Sequence, residues 1–386
     1  MKLFLVYKYF FEWYTFKDKN ENWRITMRKK AVLFISSIIF VTYSISFYAE
    51  DVKNDVAASK ESLESTSQSA MTTTAQSITT AAITTGGVIT TQAAVEVEPP
   101  EMIAARNGDK AYQEKDYEKA IENYTKAIEI SSNSEVFYNN RGLAYYAKKD
   151  YEKAIEDYTK AIDIKGNYEK AYYNRANTYY LLEKFEKAIS DYKEVIVINP
   201  KHKDAFYHIA TIYYIQKDYE KAFEYYSNAI KNDSRNSDAY YSRGNIYFDR
   251  ENYKKAIEDY SSAIRYNPKL SDAFEARGDS YFSIGSYKKA IEDYSSAIRL
   301  APNDEIKYTN RGNCYYEVEN YKKAVEDYTK AIKLNPESSE GYHNRASAYS
   351  MIGEYKKALA DLNKALEINP ANSGAAKLKK EIESLK

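Results

Sequence analysis

One cysteine, Cys314, occurs in 386 residues, so no disulfide can form within the chain and a bridged framework is excluded. Charge of one sign is not in excess: Lys plus Arg and Asp plus Glu number 56 each, which removes the bulk field that would draw nucleic acid or an anionic membrane surface. The three histidines, His202, His208 and His343, have no metal-ligand spacing, and no Gly-rich phosphate loop is present. Neither a metal nor a cofactor is expected, and nothing points to an enzyme. Cys314 stands where related places hold Ala144, Ile212 and Ala348, so it reads as a small core side chain and not a nucleophile. Glycine (12) and proline (7) are scarce, and Pro200, Pro268, Pro302, Pro336 and Pro370 recur at one spacing, as punctuation and not as linkers.

Tyrosine, by contrast, occurs 42 times. A composition rich in Lys, Asn and Ile would favour it through coding bias, but bias cannot set a period. Stepping by 34 residues from Tyr138 meets Tyr172, Phe206, Tyr240, Phe274, Tyr308 and Tyr342, and from Ala154 meets Ala188, Ala222, Ala256, Ala290, Ala324 and Ala358. Such a period marks a repeat array, in which length counts units and not domains. Eight units run without insertion: 101–134, 135–168, 169–202, 203–236, 237–270, 271–304, 305–338 and 339–372.

Each unit carries two stretches with apolar residues at helical spacing, for example Tyr172, Ala176, Tyr179 and Tyr180, then Phe185, Ala188, Ile189, Tyr192 and Ile196. A cap for the second helix stands at Asp116, Asp150, Asp218, Asn252, Ser286 and Asn320; Lys184 and Glu354 break the pattern and predict weaker caps. Residues 373–386 place Ala375, Leu378, Ile382 and Leu385 on one face, as a helix that covers the end of the stack. Unit one has Ala104 where the others have an aromatic ring, as expected of a terminal repeat.

The first 49 residues read as an N-terminal extension followed by a signal peptide or membrane anchor. Arg28, Lys29 and Lys30 precede an apolar run from Ala31, then small residues Ser44, Ser46 and Ala49. Cleavage and retention as an anchor through residues 31–48 both fit, because about 18 residues is the lower edge of a spanning helix. Met27 sits directly before the basic residues and is an alternative start to Met1. Residues 50–100 turn to Ser, Thr, Ala and Gln with hardly an aromatic; such a segment reads as a disordered tether with an end-to-end distance on the order of 40 Å. The expected setting is an exported one: periplasm, cell envelope or secreted, with a membrane tether one of the options.

The residues Tyr172, Arg175, Ala176, Tyr179, Ala188, Tyr192, Val195 and Pro200 form a pattern similar to the tetratricopeptide repeat, and the resemblance covers about 70% of the chain. It implies an all-α fold, a right-handed superhelical solenoid of eight helix hairpins plus a C-terminal capping helix, with first helices lining a concave groove that holds a partner's peptide.

One departure is informative. Where the family usually has Leu, six units carry Arg141, Arg175, Arg243, Arg277, Arg311 and Arg345, and sixteen residues later the same six carry Asp157, Asp191, Asp259, Asp293, Asp327 and Asp361. The other two units switch both places, to Asn107 with Asn123 and to Ile209 with Tyr225. Joint switching predicts an ion pair inside each unit that ties its helices. An anion-binding stripe is the competing reading; the bridge is preferred because partly buried charges are normally paired.

For ligand contact the sequence offers asparagines beside the arginines, Asn140, Asn174, Asn310 and Asn344 before and Asn177, Asn245 and Asn313 after, whose amides can pair with a peptide backbone. Rings at Tyr146, Tyr180, Tyr214, Phe248, Phe282 and Tyr316 could take side chains of a partner or pack within the array. His208 and Thr211 interrupt the asparagine ladder. The expected partner is a protein or peptide held in the groove by a scaffold of an envelope assembly; the alternative is a receptor or accessory subunit for envelope polysaccharide.

Overall fold

The computed structural model describes residues 98–384. The apolar segment at 31–48, nearly all of the tether, and Leu385 lie outside the described residues. Among those described all regular structure is helical, in seventeen helices. They are α1 (Pro100–Gln113), α2 (Tyr117–Ile130), α3 (Glu135–Lys148), α4 (Tyr151–Ile164), α5 (Glu169–Leu181), α6 (Phe185–Ile198), α7 (Ala205–Ile215), α8 (Tyr219–Asn232), α9 (Ser237–Asp249), α10 (Tyr253–Tyr266), α11 (Ser271–Ser283), α12 (Tyr287–Leu300), α13 (Glu305–Glu317), α14 (Tyr321–Leu334), α15 (Ser339–Met351), α16 (Tyr355–Ile368) and α17 (Ser373–Glu383). The eight expected units are the eight hairpins, α1·α2 through α15·α16. The chain divides into two compact units, through residue 171 and from residue 172. No described helix is long and apolar enough to cross a membrane.

Each hairpin turns on a residue with positive φ, from Lys149 (68°) in repeat two to Glu251 (58°) in repeat five, with Gly285 and Gly353 in repeats six and eight. The next amide bonds back to the first helix, as Asp150 N does to Tyr145 O at 2.9 Å, which satisfies its last carbonyls. The following residue then caps the second helix. Asp116, Asp150, Asp218, Asn252 and Asn320 each accept from the amide three residues on. Lys184 and Glu354 make no cap, as expected. Ser286 corrects the expectation, since it makes no cap bond either; its ψ of 55° falls below the 62–76° of the five capped turns.

Core packing follows the period. The recurring alanine of the second helix, Ala120 through Ala358, is fully buried in every repeat. Beside it lies a tyrosine ring, Tyr124, Tyr158, Tyr192, Tyr226, Tyr260, Tyr294 or Tyr328, at most 2% exposed. The facing residue of the first helix is small because the ring leaves no room: a Cβ added at Gly244 would sit 2.7 Å from the Tyr260 ring. In repeat eight the ring is Leu362 and the small residue Ala346, both fully buried. Helix α17 closes the C-terminal unit with Ala375 and Ile382 buried and Leu378 packed beside them. Cys314 is fully buried, and burial pushes its thiol up to about 12, consistent with a core role.

Candidate functional site

Three sets of side-chain contacts recur through the hairpins, and together they decide which groups are left to meet a ligand. The first is the ion pair. All six arginines make two parallel bonds to the aspartate of their own hairpin, from Nε and Nη2 at 2.7–2.9 Å. The aspartates are 5–7% exposed. Their hydrogen bonds raise the guanidinium pKa of Arg141, Arg311 and Arg345, while burial raises the carboxyls of Asp157 and Asp293 against the opposing pull of their arginines. The predicted intra-unit bridge is present in every case, and the arginines have little left to offer an anion.

That little is used too, in a way the sequence reading missed. The remaining Nη1 of Arg141, Arg243, Arg277, Arg311 and Arg345 donates to Thr125, Ser227, Ser261, Ser295 and Thr329 of the preceding repeat at 2.9–3.2 Å. Ser227, Ser261, Ser295 and Thr329 pass their own protons to a carbonyl of their helix, which leaves lone pairs for the guanidinium. The signal was available: sixteen residues before Ile209, where arginine is missing, stands Lys193 in place of Ser or Thr.

The second set involves the ladder asparagines. Tyr192, Tyr260 and Tyr328 donate to Oδ1 of Asn177, Asn245 and Asn313 at 2.6, 2.8 and 2.8 Å. Asp109 and Asp279 occupy the same place in repeats one and six and accept from Tyr124 and Tyr294. Asn140 and Asn310 then donate across the seam to those carboxylates at 3.4 Å. Asn344 makes no side-chain hydrogen bond. Two positions correct the expectation of a ligand-facing ladder: Asn174 and Asn177 are buried, at 4% and 1% exposure. Close by, the His208 ring stacks on Tyr192 (centroids 5.3 Å), the donor to Asn177, and its Nε2 lies 3.0 Å from the Tyr173 hydroxyl. Burial, then His202, lowers the His208 pKa to about 3, so the imidazole is neutral.

The third set is aromatic. Tyr146, Tyr180, Tyr214, Phe248, Phe282 and Tyr316 each pack at an angle on the ring five residues later, Tyr151 through Tyr321, with centroids 5.2–6.0 Å apart. They clasp the hairpin turn, and Tyr180 and Tyr214 are only 7% exposed. Packing is therefore the role this geometry gives them, in place of the ligand contact set against it in the sequence reading. Repeat eight has Ser350 at this place, and its Tyr355 is correspondingly 40% exposed.

Two local charges complete the site. Lys307 is 2% exposed, with its ammonium against Glu275 Oε2 at 2.9 Å and against Asp304. Asp204, before α7, makes no cap bond; that is done by His202, whose Nδ1 accepts from the amides of Asp204 and Ala205. Burial, then Asp233, pushes the Asp204 carboxyl up to about 6, with Lys203 opposing and Asp238 adding least. The folded chain thus holds this proton more tightly than the unfolded chain, so the group favours folding more as pH falls from 7 toward 4. Asp204→Asn is expected to stabilise the fold at pH 7 by on the order of 1 kcal/mol and to lose that advantage near pH 4, read as the difference between urea unfolding curves. Among the described residues no group of three His, Cys, Asp or Glu could hold a metal ion.

Comparison with known proteins identifies the repeat. Models of the tetratricopeptide repeat match residues 136–168, 169–202, 204–236, 237–270, 307–338 and 339–372, and a TPR repeat model matches 108–149 and 278–319. Among solved structures, the C-terminal part of a TPR repeat-containing protein from Cytophaga hutchinsonii is 24% identical, with 61% of this chain and 97% of that one covered and a TM-score of 0.50. YrrB, a TPR protein with an unusual peptide-binding site, is 25% identical over 49% of this chain and 97% of its own (TM-score 0.47). MamA is 24% identical over 44% and 92% (TM-score 0.42). With six hairpins matched as units by these models and the other two matched in part, the chain belongs to the tetratricopeptide repeat family.

Proposed function

We propose that the first-helix face of repeats five to eight holds an extended peptide segment of a partner protein. The repeats make the chain a protein-interaction scaffold. The peptide groove rests on one observation: at Asn245 and Asn313 the carbonyl is fixed by Tyr260 and Tyr328, so on a half-buried helix face the amide Nδ2 is held as a donor. A donor already oriented loses little freedom on binding a peptide carbonyl. Asn344, three residues before the equivalent place in repeat eight, adds an amide with both donor and acceptor. Sugar stacking is less favoured, because the rings proposed for it are clasped against the turns.

The exported envelope setting is part of the proposal and rests on the basic and apolar residues from Arg28 to Ala49 and on the tether that follows. Photocrosslinking from positions 245 and 313 in intact cells is expected to capture one protein at both sites, identified by mass spectrometry. Capture of polysaccharide, or of no specific adduct at either position, would remove the groove reading.

A further inference from the structure

The turn edge of the hairpins changes character once along the array. The second helices of repeats one to four carry Glu118, Glu152, Glu186 and Glu220 in their first turn. Those of repeats five to eight carry Lys254, Lys288, Lys322 and Lys356 at the same place, followed by a second lysine and with no acid in that turn. A cation there opposes the positive end of the helix dipole, so the change costs helix stability each time.

The place it adjoins, thirty residues on at the end of the next first helix, changes with it. Glu118 meets Lys148 at 2.9 Å, Glu186 meets Gln216 at 3.3 Å and Glu220 meets Arg250 at 2.6 Å; Glu152 has Leu182 at that place. For Lys254, Lys288 and Lys322 the corresponding residues are Ile284, Val318 and Ile352, which are 36–43% exposed. All four lysines are exposed, and among the described residues none of them forms a salt bridge. The turns at 114–119, 148–153, 182–187 and 216–221 hold nine cations and nine anions, whereas those at 250–255, 284–289, 318–323 and 352–357 hold nine cations and three anions. An edge that closes on itself in the first four repeats is, in the last four, a row of apolar side chains flanked by unpaired cations. Its complement is acidic and apolar at once. A bilayer fits poorly, because the three apolar side chains are more than half covered by their own fold and cannot enter an acyl region, and Glu319 and Glu354 stand among them. First helices of neighbouring repeats touch here. Packed helices lie about 8 to 10 Å apart, near the ~10.5 Å that seven residues advance along an α-helix.

We propose that the turn edge of repeats five to eight docks a short acidic amphipathic helix of a partner protein. Its apolar residues, seven apart, lie on Ile284, Val318 and Ile352, and its Asp and Glu side chains meet Lys254, Lys288 and Lys322. This surface is separate from the first-helix face and does not rest on the groove reading.

The test uses the full chain and three fluorescein-labelled helical peptides of about 20 residues, followed by anisotropy. One has leucine at every seventh residue flanked by glutamate, one has those leucines changed to serine, and one has the glutamates changed to lysine. The first is expected to bind at least about tenfold more tightly than either of the others. Lys288→Glu/Lys322→Glu places there the residue that repeats one to four carry, so the helices should persist by circular dichroism while the preference passes to the lysine peptide. Ile284→Ser/Val318→Ser/Ile352→Ser is expected to bind the leucine and serine peptides alike, and Asn245→Ala/Asn313→Ala, on the groove face, to change nothing. A preference that the lysine and apolar variants leave unmoved overturns the proposal, as does equal binding of the three peptides or binding of none. Loss of the leucine–glutamate peptide in the asparagine variant would place it in the groove and overturn the edge. Sedimentation with vesicles of phosphatidylcholine alone or mixed with phosphatidylglycerol covers the other occupant: uptake onto the anionic vesicles that Lys288→Glu/Lys322→Glu abolishes, without peptide selectivity, would assign the edge to lipid and overturn the helix.

Discussion

An Arg243→Ala chain is expected to lose about 3 to 5 kcal/mol of stability in urea unfolding followed by circular dichroism. The size follows from what stays behind. Asp259 is 5% exposed and receives both its bonds from Arg243, so truncation leaves a buried carboxylate without a cation. Ser227 of repeat four loses its guanidinium partner at the same time, which weakens the seam between the two hairpins. Repeat four shows how the place can be filled without charge: Ile209 is fully buried and Tyr225 rests against Tyr213 with centroids 5.5 Å apart. Arg243→Ile with Asp259→Tyr is therefore expected to recover more than half of the loss, whereas either change alone is not. Ligand choice should not follow the arginine, since all three of its bonding nitrogens are engaged within the fold. A cost below about 1 kcal/mol for Arg243→Ala, the range of an exposed pair, would show that this pair is not buried in solution.

Tyr260→Ala is expected to cost a similar 3 to 5 kcal/mol, by a different route. The ring is 1% exposed, and the backbone of α9 approaches it so closely at Gly244 that only a hydrogen fits between them. Removal opens a cavity that two packed helices cannot close, and it leaves Asn245 Oδ1 without its donor. Repeat eight again supplies the comparison, with Leu362, Ala346 and Ser347 at the three places. Tyr260→Leu is expected to cost about 1 to 2 kcal/mol less than Tyr260→Ala, and Gly244→Ala on that background should be tolerated, although in the parent chain its Cβ would strike the ring. Equal losses for the alanine and leucine variants would mean that the hydroxyl, and not the ring volume, carries the site.

The helices and ion pairs were legible because copies of one unit can be compared within a single chain. Arginine and aspartate change together at Ile209 and Tyr225, and a pair that changes together inside one unit meets inside it. The same comparison reaches the seam bonds through Lys193 and Ile209, which change together; it fails for the tyrosine–asparagine bonds, since in repeat two Leu143 replaces the acceptor while Tyr158 is kept. The burial of Asn174 and Asn177 is of another kind. Their letters give no sign of it, since asparagines at the same places in other repeats, Asn310 and Asn313, are half-buried. The ligand roles of the ladder asparagines could not be read from spacing either, because an amide with one end tied to tyrosine and an amide open at both ends look alike as letters.

The seam bonds bear on how such an array grows and shrinks. Loss of residues 271–304 as one unit would bring Arg311 to Ser261, the same donor and acceptor that now meet one repeat earlier. Loss of residues 203–236 would instead set Arg243 against Lys193, two cations where a hydroxyl is required. By this bond alone the copies on the C-terminal side are interchangeable, although repeats six and seven are tied together by Lys307, which takes its carboxylates from Glu275 and Asp304, while repeat four is an adapter that fits only between its present neighbours. Natural variation in the length of this chain should accordingly fall after residue 236 and spare repeat four.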